Sequence, residues 1–233
     1  MTDTALPRTA RERARAEITA EILASARRQM AAEGAAAISL RAVARDLGMV
    51  SSAVYRYFPS RDDLLTRLII EAYDALGDAV DAADASRPRE DFVGRWMAVS
   101  HAIRDWGLAH PHEWALIYGS PVPGYAAPDD TIGPGTRASV TMTRLLVEAL
   151  MAGVLPPAEE VPRKVSRSMR SLKAFIPVPV PDSDLVAGLM ARTQIFGHVT
   201  LELDGQFNAT IDDPHAYFDH VARMSARQMG FAG

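Results

Sequence analysis

The sequence predicts an all-α protein, because apolar residues recur at helical spacing and no stretch alternates apolar and polar residues as a strand would. Glycine and proline divide the periodic stretches into separate helices, and Gly34, Gly48 and Pro59 are the clearest breaks. We therefore expect a three-helix N-terminal head, a long connecting helix and a larger C-terminal helical body. The boundary between the two domains is predicted at 1–60 and 61–233.

The first two helices are predicted from the spacing of their apolar residues and from the glycines that follow them. One apolar stripe marks the first helix with residues four apart: Ile18, Ile22, Ala26 and Met30. Gly34 is its predicted stop. The second helix is predicted over residues 40–47, with Ser39 as its N-cap and Gly48 directly after its last apolar residue.

A third, short helix of about two turns is expected after this turn, and it ends before Pro59, which lacks an amide hydrogen. Ser51 or Ser52 is predicted to cap it, whereas Val54 and Phe58, four residues apart, are predicted to point into the core. The polar-tipped side chains, most of which must face outward, are Ser51, Ser52, Tyr55, Arg56 and Tyr57. This pattern predicts a helix-turn-helix. An ordinary helical hairpin with a solvated outer face is the alternative.

A long helix is predicted from Arg61 to about Ala83, opened by a capping box of Ser60 and Asp63. It joins the head to the body without a flexible linker, so it could transmit a displacement that a Gly/Ser linker would absorb.

The body should contain several further helices and one irregular segment. Apolar spacing predicts helices over about 92–109, 114–118, 137–153, 183–203 and 214–229, and a helical region over 163–175. Residues 119–135 hold four prolines and four glycines. We expect no regular element there.

Charge is distributed unevenly along the chain. Residues 1–67 hold 11 arginines and 8 acidic residues, whereas residues 68–233 hold 14 basic and 21 acidic residues. A basic head on an acidic body is typical of a protein that meets a polyanion with one end. The chain has no cysteine, no signal-peptide core and no run of 18 apolar residues. These absences predict a cytoplasmic protein without disulfides, thiolate metal sites or a membrane partner.

Residues with catalytic or metal-binding chemistry are sparse. His110 and His112 flank a proline, and His215 and His220 are five apart, so neither pair has the i, i+4 spacing that clamps zinc on a helix. No serine lies in a Gly-x-Ser-x-Gly elbow. We expect no catalytic residue, metal or cofactor; an enzyme built in the helical body is the alternative.

The residues of the head also carry a resemblance. The run from about Ala20 to Leu68, ILASARRQMAAEGAAAISLRAVARDLG followed by MVSSAVYRYFPSRDDLL, resembles the DNA-binding domain of the tetracycline-repressor (TetR) family of bacterial transcription regulators. Residues 101–128, HAIRDWGLAHPHEWALIYGSPVPGYAAP, are similar to the C-terminal regulatory domain of a TetR subgroup often labelled WHG. The resemblance implies a homodimer whose last two helices, within 183–230, pair with their counterparts.

The resemblance further implies which residues meet double-stranded DNA. Positions where the family contacts phosphates are Ser39, Arg41, Tyr55, Tyr57 and Arg61. Ser51, Ser52 and Arg56 lie where bases can be read in the major groove, and the Arg56 guanidinium matches the O6 and N7 acceptors of guanine.

The body is expected to bind a small apolar or amphipathic effector, an expectation that rests mainly on the resemblance. A pocket between helices would be lined by aromatic and a few polar residues: Trp96, His101, Trp114, Tyr118, Arg144, Phe175 and Phe196. Plain core packing is the alternative for each of them. These expectations together describe a repressor that binds a pseudo-palindromic operator as a homodimer and is released by an effector. A helical small-molecule-binding protein that does not bind an operator is the remaining alternative.

Overall fold

The computed structural model describes residues 9–157, 159–174, 176 and 178–231. These residues contain no strand, so the prediction of an all-α fold is confirmed. The helices are α1 (Ala10–Glu33), α2 (Leu40–Asp46), α3 (Ser51–Val54), α4 (Arg61–Ala85), α5 (Phe92–Ala109), α6 (Pro111–Tyr118), α7 (Ile132–Met151), α8 (Arg163–Ser168), α9 (Arg170–Ala174), α10 (Asp182–Leu203) and α11 (Pro214–Gln228). Short 3-10 turns lie at Ala35–Ala37 and Asp129–Thr131.

The chain forms two compact units. The first contains the residues up to Ala72 together with His112–Thr131, and the second contains Tyr73–Pro111 and the residues from Ile132 onward. Helix α4 therefore begins in the first unit and ends in the second. The functional division at 1–60 and 61–233 stays a prediction.

The first unit is built around a core from its first four helices. Its buried residues are Ile22, Leu23, Ala26, Met30, Ile38, Leu40, Val43, Ala44, Val54, Phe58, Leu64, Leu65 and Leu68. Helix α1 opens with a capping box between Thr9 and Glu12. It ends at Gly34, as predicted, where φ is +83° and the amide donates to the Met30 carbonyl.

The turn between α2 and α3 is a Schellman motif. Gly48 has φ +65°, a conformation that favours glycine, and the Met49 amide donates to the Ala44 carbonyl over 2.8 Å. Helix α3 then begins at Ser51, so its N-cap is Val50, and no side chain caps it. The prediction that Ser51 or Ser52 caps this helix is wrong, because both serines lie inside its first turn.

Helix α3 itself is only one turn long, but the chain stays hydrogen-bonded as far as Phe58. The amides of Tyr57 and Phe58 both donate to the Val54 carbonyl, over 2.9 and 3.1 Å. Pro59 then ends the segment, and the hydroxyl of Ser60 accepts the Asp63 amide over 3.1 Å to open α4. The predicted cap at Ser60 is present.

The second unit packs α5, α7, α10 and α11 around buried apolar side chains. Among these is Trp96, whose indole N–H donates to the Ala222 carbonyl and the Ser225 hydroxyl over 3.1 and 3.0 Å. Asp213 caps α11 by accepting the Ala216 amide over 2.9 Å. The predicted starts of the last two helices agree with the structure to within one residue.

Helix α7 differs from the prediction, because it begins at Ile132 rather than at about Arg137. Pro134 lies in its first turn, where amide hydrogens have no partner within the helix and proline is tolerated. A side chain at Gly135 would place its Cβ 3.3 Å from the ring of Tyr73, so glycine allows close packing there. The expectation that residues 119–135 contain no regular element is therefore wrong for its last residues.

The region 163–174 is helical in two short pieces, α8 and α9, and Phe175 lies outside the described residues. None of the helices that the structure describes combines the length and the apolar character needed to cross a lipid bilayer.

Candidate nucleic-acid interface and ligand cavity

The segment from Ser51 to Phe58 has one buried and one exposed face. Val54 and Phe58 point into the core of the first unit, as predicted. The side chains exposed on the other side are Ser51, Ser52, Tyr55 and Arg56. Four polar-tipped residues predicted to meet DNA therefore lie together at the surface.

Tyr57 is only half-buried, and it packs against the core of the first unit. The Arg15 guanidinium lies 5.0 Å from the centre of its ring, within the range of a cation–π contact. Arg15 thus joins α1 to this edge of the helix-turn-helix.

Helix α2 adds two exposed arginines. Arg41 was predicted from the sequence, whereas Arg45, four residues later and on the same helical face, was not. Within the described residues, none of Arg41, Arg45 and Arg56 has a carboxylate within ion-pairing distance. The spacing of four from Arg41 is the sequence signal that could have identified Arg45.

The carboxylate next to Arg45 is held elsewhere. Asp46 accepts hydrogen bonds from the Ser25 hydroxyl and the Arg28 guanidinium, each over 2.6 Å. These two donors, Ser25 first, lower the pKa of Asp46. Asp46 is therefore paired on the α1 side and does not form an ion pair with Arg45.

Arg61 is occupied by the fold of the first unit. Its Nε donates to the Ile38 carbonyl over 3.1 Å, and its Nη2 donates to the carbonyls of Ala35 and Ala36 over 3.3 and 3.1 Å. These carbonyls belong to the 3-10 turn before α2 and to the residue after it. The structure thus gives Arg61 a structural role at the start of α2, beside its predicted contact with a phosphate.

We expect Arg61→Ala to lower the free energy of unfolding by about 1–2 kcal/mol, because three carbonyls lose a charged donor at a partly exposed site. Urea unfolding measures the loss. Arg67→Ala is the matched control, since it removes only an exposed i, i+4 pair with Glu71 and should cost less than about 1 kcal/mol.

The phosphate contact of Arg61 is tested separately by salt dependence, since each neutralised phosphate contributes about 0.9 to the slope of log affinity against log salt. A fall of that size in the Arg61→Ala slope would support the contact. An unchanged slope together with an unchanged stability would contradict both roles.

The residues predicted to line an effector pocket are divided between the two units. Trp114 and Tyr118 belong to the first unit, with their ring centres 4.7 Å apart. The other described members lie in the second unit: Trp96, His101, Arg144 and Phe196. Phe175 lies outside the described residues.

In the second unit, two of these side chains are engaged with polar neighbours. His101 Nε2 lies 3.1 Å from Asp219 Oδ1, and Arg144 donates to Asp84 over 3.2 Å. Phe196 is half-buried with the Arg192 guanidinium 5.6 Å from its ring centre. Of the predicted members that the structure describes, Trp96 alone lines the apolar cavity of the second unit.

An apolar cavity of about 70 Å³ lies between α5, α7, α9 and α10. Its lining is mostly aliphatic or aromatic, with Ser139, Thr143 and Arg192 as its polar members. The remaining lining residues are Trp96, Met142, Leu146, Leu172, Ile176, Leu185, Gly188, Leu189 and Met229. An apolar cavity with a few polar groups is the usual form of a small-molecule site.

The opposite face of α7 is bound to α4 by charge. Arg137 pairs with Asp78 and Asp81 over 2.6 and 2.9 Å, and the Thr141 hydroxyl donates to Asp81 over 2.6 Å. The helical period places these α7 residues about 180° from Ser139 and its neighbours in the cavity wall. Burial lowers the pKa of Arg137, but the two aspartates outweigh burial and raise it. Helix α7 therefore contacts the cavity on one face and α4 on the other.

A second group of charges lies at the end of α4. The Asp84 carboxylate is buried and accepts from Arg95 over 2.8 Å, from Arg89 over 3.1 Å and from Arg144 over 3.2 Å. Arg95 is fully buried and also pairs with Glu148 over 2.8 Å. Asp84 thus holds arginines from α5 and α7 against the last turn of α4, and Glu148 joins Arg95 to α7.

Within the part of the chain that the structure describes, no group of three or more His, Cys, Asp or Glu residues is placed to hold a metal ion.

Two family models match this chain. Residues 22–68 match the family model described as bacterial regulatory proteins, tetR family. Residues 96–225 match the model of the tetracyclin repressor-like C-terminal domain, which covers more than half of the chain.

Two proteins share substantial sequence with it. The HTH-type transcriptional regulator Rv1816 of Mycobacterium tuberculosis is 38% identical over 217 residues, covering 92% of this chain and 93% of that protein. The crystal structure of the protein SCO4313 has a TM-score of 0.76 and 33% identity, covering 93% of this chain and 98% of that chain. The structure of RolR in complex with its ligand resorcinol, at 16% identity and a TM-score of 0.52, covers 94% of each chain and shows the fold alone. The chain therefore belongs to the TetR family, and it is a DNA-binding transcriptional regulator and not an enzyme.

Proposed function

We propose that this regulator is a homodimeric repressor, which binds a pseudo-palindromic operator and is released from it by a small apolar or amphipathic effector. The observation that carries the proposal is the exposed face of α3, formed by Ser51, Ser52, Tyr55 and Arg56. The arginines of the neighbouring α2 have no carboxylate partner among the residues that the structure describes. Occupation of an operator is enough to block transcription, so repression is the simplest outcome of this surface.

The residues of the proposed DNA-binding face differ in the DNA group that each can reach. The planar guanidinium of Arg56 fits the O6 and N7 acceptors of guanine. The hydroxyls of Ser51 and Ser52 can donate to acceptors on the base edges. Arg41 and Arg45 present unpaired charge from α2, which suits backbone phosphates. Ser39 and Tyr55 have hydroxyl groups that suit the same phosphates, and we assign them that role.

The dimer is supported by a partly exposed apolar stripe on the last two helices. On α10, Met190, Gly197 and Leu201 recur on one helical face, and on α11 Tyr217 and Met224 do the same. Gln194 of α10 donates to Gln228 of α11 over 3.2 Å, so the two faces lie side by side. Gly197 has open space where a Cβ would be, which permits close approach of a partner helix. These features fit pairing through residues 183–230.

The effector site is proposed at the cavity of the second unit. Its volume of about 70 Å³ is roughly half of the 150 Å³ that binds benzene in an engineered apolar cavity. An aromatic effector must therefore widen the cavity, and we propose that it does so by displacing a lining helix. RolR, a protein of the same fold, binds resorcinol, which is similar in size to benzene.

Helix α7 is the lining helix that can pass this movement on. Its Arg137 and Thr141 are bound to Asp78 and Asp81 of α4, so a displacement of α7 pulls on α4. Helix α4 begins at Arg61 in the first unit, directly after the segment proposed to meet DNA. The effector then favours the state of the dimer in which the two helix-turn-helix motifs no longer match successive major grooves. The coupling free energy between effector binding and operator binding equals the difference in the effector's binding free energy between the two states.

The experiment that tests the proposal selects bound fragments from the source genome and measures affinity for the selected duplex. A dimer on a pseudo-palindrome, with affinity that falls steeply with salt, is the expected result. A panel of small aromatic and aliphatic compounds is then scored for release of this duplex. Failure to retain any fragment at low salt would refute the operator, and a compound that fills the cavity without releasing DNA would refute the effector mechanism.

Arg56→Ala is expected to cost about 1–3 kcal/mol on the selected operator and to relax specificity at one base pair, because a bidentate contact to guanine is lost. Competition with single-base operator variants measures the change. Arg41→Ala and Arg45→Ala are the matched controls. Each should weaken binding to selected and random duplex alike and lower the salt slope by about 1. Equal losses of Arg56→Ala on selected and random DNA would remove Arg56 from the base contacts.

A further inference from the structure

Val50 occupies the N-cap of α3, a position where its side chain does nothing for the helix. Its backbone is extended, with φ −70° and ψ 138°, and no side chain accepts an amide hydrogen of the first turn. Serine, threonine, aspartate and asparagine are preferred at N-caps because their oxygens accept such a hydrogen bond, and valine is among the poorest choices. The chain thus has a weakly stabilising residue at the start of the helix that meets DNA.

The same side chain does not contribute to the core. Val50 is 71% exposed, whereas its neighbour Met49 packs against the core and Val54, one turn later, is fully buried. A branched apolar side chain with this exposure stabilises neither the helix nor the hydrophobic interior. Its side chain is therefore available for an apolar contact outside the subunit.

The position of Val50 indicates what that contact is. It directly precedes the exposed Ser51 and Ser52, at the N-terminal end of the recognition helix, where helix-turn-helix proteins contact base edges. In the major groove, the C5-methyl group of thymine is the group that apolar side chains contact.

We infer that Val50 contacts the C5-methyl group of a thymine in each half-site and thereby selects thymine at that base pair. The inference rests on the proposed operator binding. The hydroxyls of Ser51 and Ser52 are short and accept many bases, so an apolar contact beside them adds discrimination that hydrogen bonds from serine do not supply.

The test replaces single thymines of the selected operator by deoxyuridine, which removes only the C5-methyl group. Wild-type protein is expected to bind about three- to tenfold more weakly when one particular thymine of a half-site is replaced, the effect of losing about one buried methyl contact. Replacement of thymines elsewhere in the duplex is expected to change affinity less.

The variant that completes the test is Val50→Ser, which removes the methyl groups and introduces a favoured N-cap. It should bind the thymine operator about three- to tenfold more weakly than wild type, and it should be indifferent to deoxyuridine at the same position. Its melting temperature should equal or exceed that of wild type, which separates loss of contact from loss of folding. Val140→Ser, an exposed valine of α7, is the matched control and should behave as wild type.

The possible results separate the inference from the proposal beneath it. If wild type binds the selected operator but no deoxyuridine duplex binds more weakly, the contact does not exist. If Val50→Ser keeps the wild-type sensitivity to deoxyuridine, the methyl group is read by another residue, and the inference is likewise overturned. If wild type retains no duplex at all, operator binding and the contact fail together.

Discussion

Replacing Asp84 with alanine is expected to lower the free energy of unfolding of the second unit by about 3–5 kcal/mol, the largest stability effect that we predict for a single substitution. The carboxylate is 2% exposed and accepts from Arg95, Arg89 and Arg144. Its removal leaves the fully buried Arg95 with Glu148 as its remaining carboxylate partner within the described residues. Removing one partner of a buried pair costs this much because the other charge stays in a medium that solvates it poorly.

Urea unfolding followed by circular dichroism measures the loss, and Asp78→Ala provides the matched control. Asp78 is also on α4 and also pairs with an arginine, Arg137, but its side chain is 70% exposed. An exposed pair is worth less than about 1 kcal/mol, so the two variants should differ clearly. Equal losses would show that the charges around Asp84 do not determine the stability of this unit.

The Asp84 carboxyl also makes the free energy of unfolding depend on pH. Burial by itself raises the pKa of Asp84, but the hydrogen bond from Arg95 and the positive charges of Arg95, Arg144 and Arg89 outweigh it and lower the pKa. A carboxyl whose pKa is lower in the folded chain stabilises the fold at pH above its unfolded value of about 3.9. This contribution is lost as the pH falls below that value, and Asp84→Ala should lack this part of the acid sensitivity.

Much of the first unit could be predicted from the sequence, because its signals are local. Gly34 and Gly48 end helices in positive-φ conformations, Pro59 ends the recognition segment, and Ser60 caps α4. Each of these effects acts over at most five residues. A pattern read along the chain is therefore enough to place them.

Other features join residues that are distant in the sequence. Arg61 donates to carbonyls 23 to 26 positions earlier, and Arg144 reaches Asp84 across 60 residues. No spacing rule predicts such pairs, since a charged residue has many possible partners before the chain is folded. The phosphate role of Arg61 was therefore predicted without its structural role.

The proposed effector site shows a second limit of prediction from the sequence. Trp96 and Trp114 are both aromatic residues of predicted helices, so the sequence gives no reason to separate them. In the structure they belong to different units. The cavity is lined mainly by aliphatic residues such as Met142 and Leu185, which no sequence pattern distinguishes from ordinary core. Which of several buried apolar groups borders a cavity depends on packing between helices, which is decided only in three dimensions.

Replacing Leu201 with arginine is expected to convert the proposed dimer into monomers and to lower operator affinity by about 10²- to 10⁴-fold. Leu201 is 46% exposed on the α10 face that it shares with Met190 and Gly197. Across a two-fold axis the same patch meets itself, so each dimer would acquire two unpaired arginines in an apolar contact.

The large loss of operator affinity is expected because a monomer presents one DNA-binding unit instead of two. It does not require any change at the helix-turn-helix. In the proposed complex one half-site binds through a single short helix and a few phosphates, whereas in the dimer the second half-site binds at a high effective concentration. Analytical ultracentrifugation and operator titration measure the two effects, and Val140→Arg, on the exposed face of α7, is the matched control. A Leu201→Arg protein that stays dimeric, or a monomer that holds a full operator as tightly as wild type, would contradict pairing through α10 and α11. A monomer that still binds a single half-site as well as one wild-type subunit does would show that recognition resides in the first unit and that the second contributes affinity by joining two copies of it.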